Sequence, residues 1–591
     1  EELAQVEVTS VSRRPEALGA AAAAIYVISR EDIRRSGAAS LPEVLRIAPN
    51  LQVQRMTASE YAITARGFNG FETANKLLVL VDGRSVYSSL HSGVFWDMRS
   101  VPIETIERIE VVSGPGGALY GANAVNGVIN IITRSSADTQ GTQGAIGVGN
   151  EDRTFHFSHS GAVGAGTWRA YISGFDRDDS LRPTGGDATD AISGFRGGVR
   201  ADLSLGKAAV TLQGDLWDTD TTEDDDYSGA RIDLTGGNVL ARLTRPLGQG
   251  VFEAQAYYDW NSRLGAAFDE TVGAFDLHVQ HSRSFGERHA VVWGAGYRVI
   301  DSELTVPPGS AGLTPAQRTV TLGNIFIQDQ ITLTPQLTLT VGAKFEDNSF
   351  TGQELLPNAR LAWSRPDGSL LWGAVSRATR TPSRIDSDLT LPGVLVTTGY
   401  QSERLTAFEV GYRSVPLPNV SFSLSAFYNV YDDLRTVGPT PVTFFPIGFT
   451  NDGQGTTYGM EAWGSYDVNP RWRLSAGVSA LHKDFEVAEG AIAVSGLASV
   501  GDDPDYQVLL RSQADLTDRL ELDVRLRAVG ELVATDAYVE ADVRVGWRLT
   551  DRVELSITGQ NLINDIHLET GDPNRRRAFG RAVYAALRFG F

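Results

Sequence analysis

From Gly141 to the final residue, apolar and polar positions alternate with a period of two. Leu520, Leu522, Val524 and Leu526 stand against Glu521, Asp523, Arg525 and Arg527, and Val539, Ala541, Val543, Val545 and Trp547 stand against Glu540, Asp542, Arg544 and Arg548. A strand presents successive side chains to opposite faces, so each run predicts a strand with one apolar face. A soluble sandwich alternates in the same way, and alternation alone leaves both readings open. Loop length separates them. Short turns recur near Gly164, Gly206, Leu247, Gly286, Pro335, Asp367, Leu417, Pro470, Asp518 and Asp551, and each successive pair of turns brackets two strand-like runs joined by a longer polar segment. Ten short turns on one side predict 22 antiparallel strands and 11 long loops, a membrane β-barrel of outer-membrane type. Residues 138–591 supply about 20 residues per strand with its share of connections, against the roughly 9 to 11 that a tilted membrane strand needs. Aromatic residues along these runs, including Trp168, Trp217, Tyr257, Tyr258, Trp363, Trp472 and Trp547, are expected to flank the apolar band.

The first 137 residues have a different texture. Leu77–Val81, Ile106–Val112 and Val128–Ile132 read as buried strands, with an Asp82-Gly83 turn and a short helix opened by Pro102 and Glu104. Ser29 with Asp32 starts a helix, and Ser40 with Glu43 has capping-box spacing for another that runs to about Ile47. Three domains follow: an arm over 1–20, an N-terminal α/β domain over 21–137, and the barrel over 138–591. A barrel of 22 strands encloses a lumen wide enough to leak unless something fills it, and the α/β domain is the available plug. On pattern alone the arm is a mobile terminus, with Val6-Glu7-Val8-Thr9-Ser10 as a stretch that could add a strand to a partner's sheet.

Composition narrows the classes. No window offers about 18 consecutive apolar residues, so a spanning helix is not expected. The formal net charge of -20 repels phosphates and argues against a nucleic-acid partner. Cysteine is absent, which removes disulfides, thiolate metal sites and a Cys nucleophile. The chain opens on Glu1 with no leader, as a mature exported protein would. No nucleophile–base pair or metal signature points to an enzyme.

Three features invite chemistry. Gly114-Pro115-Gly116-Gly117 lacks the Lys and the βαβ context of a phosphate cradle and reads as close backbone packing. His278 and His281 are three apart in a strand, hence on opposite faces and not a zinc pair. Asp220, Asp224, Asp225 and Asp226, within an acidic loop, could ligate calcium, although without fixed ligand spacing a solvated acidic loop is favoured and no cofactor is required.

Leu41–Arg55 (LPEVLRIAPNLQVQR), Ile63–Gly70 (ITARGFNG), Leu77–Tyr87 (LLVLVDGRSVY) and Ile106–Arg134 (IERIEVVSGPGGALYGANAVNGVINIITR) resemble, in order, the plug of TonB-dependent outer-membrane receptors, and Ser376–Ser383, Leu405–Arg413 and Ile557–Asp565 resemble their barrels more loosely. The resemblance implies active import of a scarce solute across a bacterial outer membrane. A ferric siderophore or other metal chelate leads; cobalamin, haem, an oligosaccharide, a passive porin or a surface-binding protein are the alternatives. It further implies a TonB–ExbB–ExbD energy-transducing partner, a lipid and lipopolysaccharide surround, a monomer, an arm facing the periplasm and long loops facing outside. Val6, Glu7, Val8, Thr9 and Ser10 now look like the TonB box, with Glu7 departing from the commoner valine and threonine run. Tyr61, Phe71, Tyr87, His91, Phe95 and Trp96 are candidates for the solute face of the plug, and Arg66, Arg84, Glu107, Glu110, Arg377 and Arg380 for an ion network between plug and wall.

Overall fold

A computed structural model describes residues 7–98, 101–223, 230–397, 399–439, 445–494, 500–572 and 575–591. Its barrel closes with 22 long antiparallel strands, the first, Gly141–Gly149, pairing with the last, Ala582–Gly590. The polar and apolar faces are inverted relative to a soluble sheet. Val545 and Trp547 are 43% and 52% exposed, whereas their strand neighbours Asp542 and Arg544 are buried in the lumen. Apolar side chains turned outward and charges turned inward are stable only if the outer solvent is hydrocarbon, which removes the sandwich alternative. Trp217 and Tyr257 depart from the expected aromatic belt. Both are buried inward, where Arg196 lies 4.9 Å from the Trp217 ring and Arg298 donates to the Tyr257 hydroxyl at 2.9 Å.

All ten short turns occur where the pattern placed them. The opposite rim differs from expectation, because 150–151, 265–268 and 349–351 are connections as tight as the turns. There the polar residues extend the strands instead, as in Ala230–Leu247 and Asp269–Phe285, which at 18 and 17 residues outrun the hydrocarbon thickness.

Inside the lumen, a five-stranded sheet has the order β3-β8-β9-β6-β7, from β3 (Ala24–Ser29), β6 (Leu77–Val81), β7 (Arg84–Ser85), β8 (Ile106–Ser113) and β9 (Gly127–Thr133). The arm contributes β1 (Glu7–Val8) and β2 (Glu16–Ala17), and β4 (Gln52–Arg55) pairs with β5 (Tyr61–Thr64). Helices α1 (Arg30–Arg35), α2 (Leu41–Leu45) and α3 (Gly117–Tyr120) complete the plug. Ser29 caps α1 as expected, and with Asp32 it forms a capping box. Ser40 and Glu43 do not: the Ser40 hydroxyl accepts from Arg177 of the wall at 3.2 Å, and Glu43 turns to Arg46 at 2.8 Å and to the Tyr61 hydroxyl at 2.9 Å. Barrel contact overrides the local cap. Ile28, Val79, Ile109, Val111, Ile129 and Ile131 centre one hydrophobic core, which explains why these strands read as unbroken apolar runs.

Candidate functional site

Residues 7–20 of the arm are seated against the plug and the wall. β1 and β2 pair antiparallel, and Val8 is fully buried among Val11, Ala21, Ala23, Ile25, Val27 and Val112. One carboxylate holds the next two residues. Glu110 Oε2 accepts from the backbone N–H of Thr9 at 3.0 Å, from that of Ser10 at 2.9 Å and from the Ser10 hydroxyl at 2.6 Å. Its Oε1 accepts from Arg108 at 2.8 Å. Arg13 sits at φ 53°, its guanidinium 4.8 Å from the Tyr120 ring centroid and 2.5 Å from His278 of the wall. Glu7 is exposed, and Val6 lies outside the described residues.

Above the arm, charged plug side chains meet charged wall residues. Arg66 pairs with Glu409 at 2.7 Å and Glu461 at 3.1 Å and stacks on Phe427 at 4.4 Å. Arg84 pairs with Asp259, and Lys76 with Glu403. Arg380 belongs to the wall and joins the plug's Lys76 by sharing Glu403, which it meets at 2.7 Å; it also pairs with Asp386 at 2.6 Å. Burial drives the Lys76 ammonium down to about 8 in spite of Glu403. Three residues expected in this network are not in it. Glu110 holds the arm, Glu107 reaches only Arg134 at 3.9 Å and is 42% exposed in its side chain, and Arg377 faces outward because it occupies an odd position on its strand. Sequence reading missed Lys76, Arg46 and Arg35, which pair with Glu403, Glu569 and Asp523. The inward-facing acids of the alternating strands were the available signal; which plug cation meets each depends on docking.

Gly114 and Gly121 show how closely the plug approaches the wall. At φ +92° and +91°, a Cβ on either would lie 2.4 Å from Glu409 Oε1 or 2.1 Å from Glu346 Oε1, respectively. Glu346 accepts instead from the N–H of Ala122 at 2.7 Å.

The six candidates for a solute face are divided. Tyr61 and Trp96 belong to the hydrophobic core, Tyr61 with its hydroxyl on Glu43. Tyr87 donates to the carbonyl of Asn75 at 2.9 Å. The His91 and Phe95 rings lie 4.2 Å apart at a 51° tilt, and burial together with Arg263 lowers the imidazole to about 4. Phe71 lies 3.5 Å from Arg575 of a long loop. Another loop enters the lumen and meets the plug apex by backbone contact: the N–H groups of Arg384 and Ile385 donate to the carbonyls of Ser89 and Leu90 at 2.8 and 2.9 Å. Asp220 pairs with Arg231 at 2.5 Å across a hairpin rather than with neighbouring acids, while Asp224, Asp225 and Asp226 lie outside the described residues. A different group, Glu540, His567 and Glu569, has metal-compatible spacing, but Arg46 and Arg527 already neutralise its carboxylates.

Between the β6–β7 edge of the plug and the wall lies a cavity of about 390 Å³. Thr9, Arg13 and Pro15 of the arm form part of its lining, opposite Gln255, His278 and Arg298 of the wall.

Residues 18–128 match the family model described as TonB-dependent Receptor Plug Domain, and residues 132–562 match that of TonB dependent receptor-like, beta-barrel. A protein named vitamin B12 transporter BtuB from Vibrio vulnificus is 30% identical over 256 residues, 39% of this chain and 40% of that protein. The chain thus spans about two fifths of the length of this curated relative. The siderophore receptor PirA from Pseudomonas aeruginosa superposes with a TM-score of 0.76 at 18% identity, covering 98% of this chain and 100% of that one. The FrpB iron transporter from Neisseria meningitidis superposes at 0.83 with 16% identity, covering 96% and 100%.

Proposed function

Because the chain belongs to the TonB-dependent receptor family, we propose that it imports a scarce solute across the bacterial outer membrane, drawing energy from a TonB–ExbB–ExbD complex in the periplasm. The seating of Val8, Thr9 and Ser10 carries this reading. The same strand that could augment a partner's sheet is held on Glu110 and walls the cavity beside the plug. Withdrawing the arm removes Arg13 from its place beside Tyr120 and His278 and opens that wall. Transport needs two states of different affinity for the solute, and a seated and a withdrawn arm supply them.

A ferric siderophore or comparable metal chelate is the first solute reading, supported by the full-length likeness to siderophore receptors and an iron transporter. Cobalamin is the second, because the relatives at 30% identity are named for vitamin B12. In this reading the arm faces the periplasm, the long loops face outside, and the protein works as a monomer surrounded by phospholipid and lipopolysaccharide. Calcium in the acidic loop around Asp220 remains a proposal separable from transport.

Val8→Pro tests the arm's role. Proline removes a ladder donor, so uptake of the ferric chelate or of cobalamin falls to background while surface binding is unchanged. Wild-type uptake by this variant overturns the proposal.

A further inference from the structure

At the short-turn rim, a second crevice of about 350 Å³ opens between the plug and the seam where the first and last barrel strands meet. Its volume lies within the range of small-molecule sites. Six arginines line it against three carboxylates, in a chain whose net charge is -20. Half of these arginines are already paired: Glu554 is shared by Arg34, by Arg544 at 2.6 Å and by Arg588 at 3.6 Å, and Glu521 is reached by Arg34 at 2.7 Å and by Arg548 at 3.7 Å.

Three arginines are left in excess, and they come from three separate segments. Arg30 opens α1, Arg552 sits in the 550–553 turn, and Arg134 follows β9. Arg30 and Arg552 are exposed and form no ion pair among the described residues. Arg134 is only 3% exposed; its terminal nitrogens donate to Gln143 Oε1 at 2.7 Å and to the Asp138 carbonyl at 2.5 Å, but its Nε has no hydrogen-bond partner, Glu107 standing 3.9 Å away. Burial, with Arg30 and Arg169 as like-charged neighbours, lowers this guanidinium to about 10. A buried cation without an ion-pair partner at contact distance is costly, and a bound anion would relieve it.

The geometry points to an oxyanion site here: a crevice that takes a phosphate group through Arg134, with Arg30 and Arg552 closing over it from plug and turn. Planar guanidinium groups bind phosphate oxygens in pairs, which arginine does better than lysine. The site is separate from the arm-lined cavity and independent of the solute imported. The phosphate could arrive on a soluble molecule or on a lipid headgroup from the adjacent leaflet; both offer the same oxygens.

Full-length protein purified in a phosphorus-free detergent is titrated with inorganic phosphate by calorimetry, in parallel with Arg30→Glu, Arg552→Glu and a control, Arg519→Glu, on another turn of the same rim. Lipid phosphorus retained after purification is measured on the same samples. Saturable phosphate binding that weakens at least tenfold in Arg30→Glu and Arg552→Glu but not in Arg519→Glu supports a soluble source. Lipid phosphorus held at one equivalent and lost in the same two variants supports a headgroup. No saturable binding and no retained phosphorus, or equal weakening in all three variants, overturns the site. Both substitutions lie at exposed positions, so the barrel's heat-modifiable migration in SDS gels reports that folding is intact.

Discussion

Glu110→Ala is expected to release the arm while leaving the barrel intact. The carboxylate is fully buried, and its Oε2 accepts three hydrogen bonds from Thr9 and Ser10. Hydrogen bonds to a charged group contribute about 1.5–3 kcal/mol each. The lower end applies, because the freed N–H groups recover water once the arm leaves, so the seat loses on the order of 4 kcal/mol. What remains is burial of Val8, about 1.5–3 kcal/mol, and the stacking of Arg13 on Tyr120, about 0.5–2 kcal/mol. The deletion therefore removes roughly half of the seat and shifts the seated-to-free ratio by about a thousandfold, at 1.4 kcal/mol per tenfold. A chain without cysteine makes the assay clean. With Val8→Cys as the only thiol, maleimide labelling is slow in the parent, where residue 8 is fully buried, and at least about a hundredfold faster in Glu110→Ala by the same conversion. Glu110→Gln falls between, since the amide oxygen still accepts. Equal labelling rates with and without Glu110, in protein whose barrel is folded, would refute the carboxylate as the latch.

Three further outcomes follow from the plug–wall contacts. Arg66→Met leaves Glu409 and Glu461 buried without a cation and lowers plug stability by about 3–5 kcal/mol, read as faster amide exchange in the plug; adding Glu409→Gln and Glu461→Gln recovers most of it. His567 is depressed by burial but raised further by Glu540 and Glu569, from 6.5 to about 9. Its folded value lies above its unfolded one, so its contribution is complete below pH 6.5 and disappears as pH rises through 9; melting followed from pH 6 to 10 falls in the parent, and this part of the fall is absent in His567→Gln. Gly121→Ala forces a Cβ to 2.1 Å from Glu346 Oε1 and adds left-handed strain, and it loosens the plug by more than Gly164→Ala, whose Cβ meets nothing within 4 Å, in the same exchange measurement.

Much of this architecture is legible in the sequence, for a local reason. A strand repeats every two residues and a turn is set by the few residues within it, so the ten turns, the strand number and the closing strand at Ala582–Gly590 follow from short-range pattern. The plug strands are legible for the same reason, since strands buried on both faces read as unbroken apolar runs. Gly114 reads as a packing position even without the 2.4 Å approach of Glu409, because no nucleotide-binding context surrounds it.

Tertiary structure decided what depends on partners hundreds of residues apart. Pattern alone makes Val8–Ser10 a loose terminus; Glu110, a hundred positions from Ser10, holds it in a seated position. Glu110 and Arg377 were candidates for the plug–wall network, yet one holds the arm and the other points out of the barrel, whereas Lys76 and Arg46, which gave no local signal, carry contacts to the wall. The Ser40 cap predicted from spacing was lost to Arg177 for the same reason. Periodicity determines which face a side chain occupies, but only docking of the plug within its barrel determines which charge it meets there, since Coulombic and hydrogen-bond energies depend on a few tenths of an ångström between groups that sequence does not bring together.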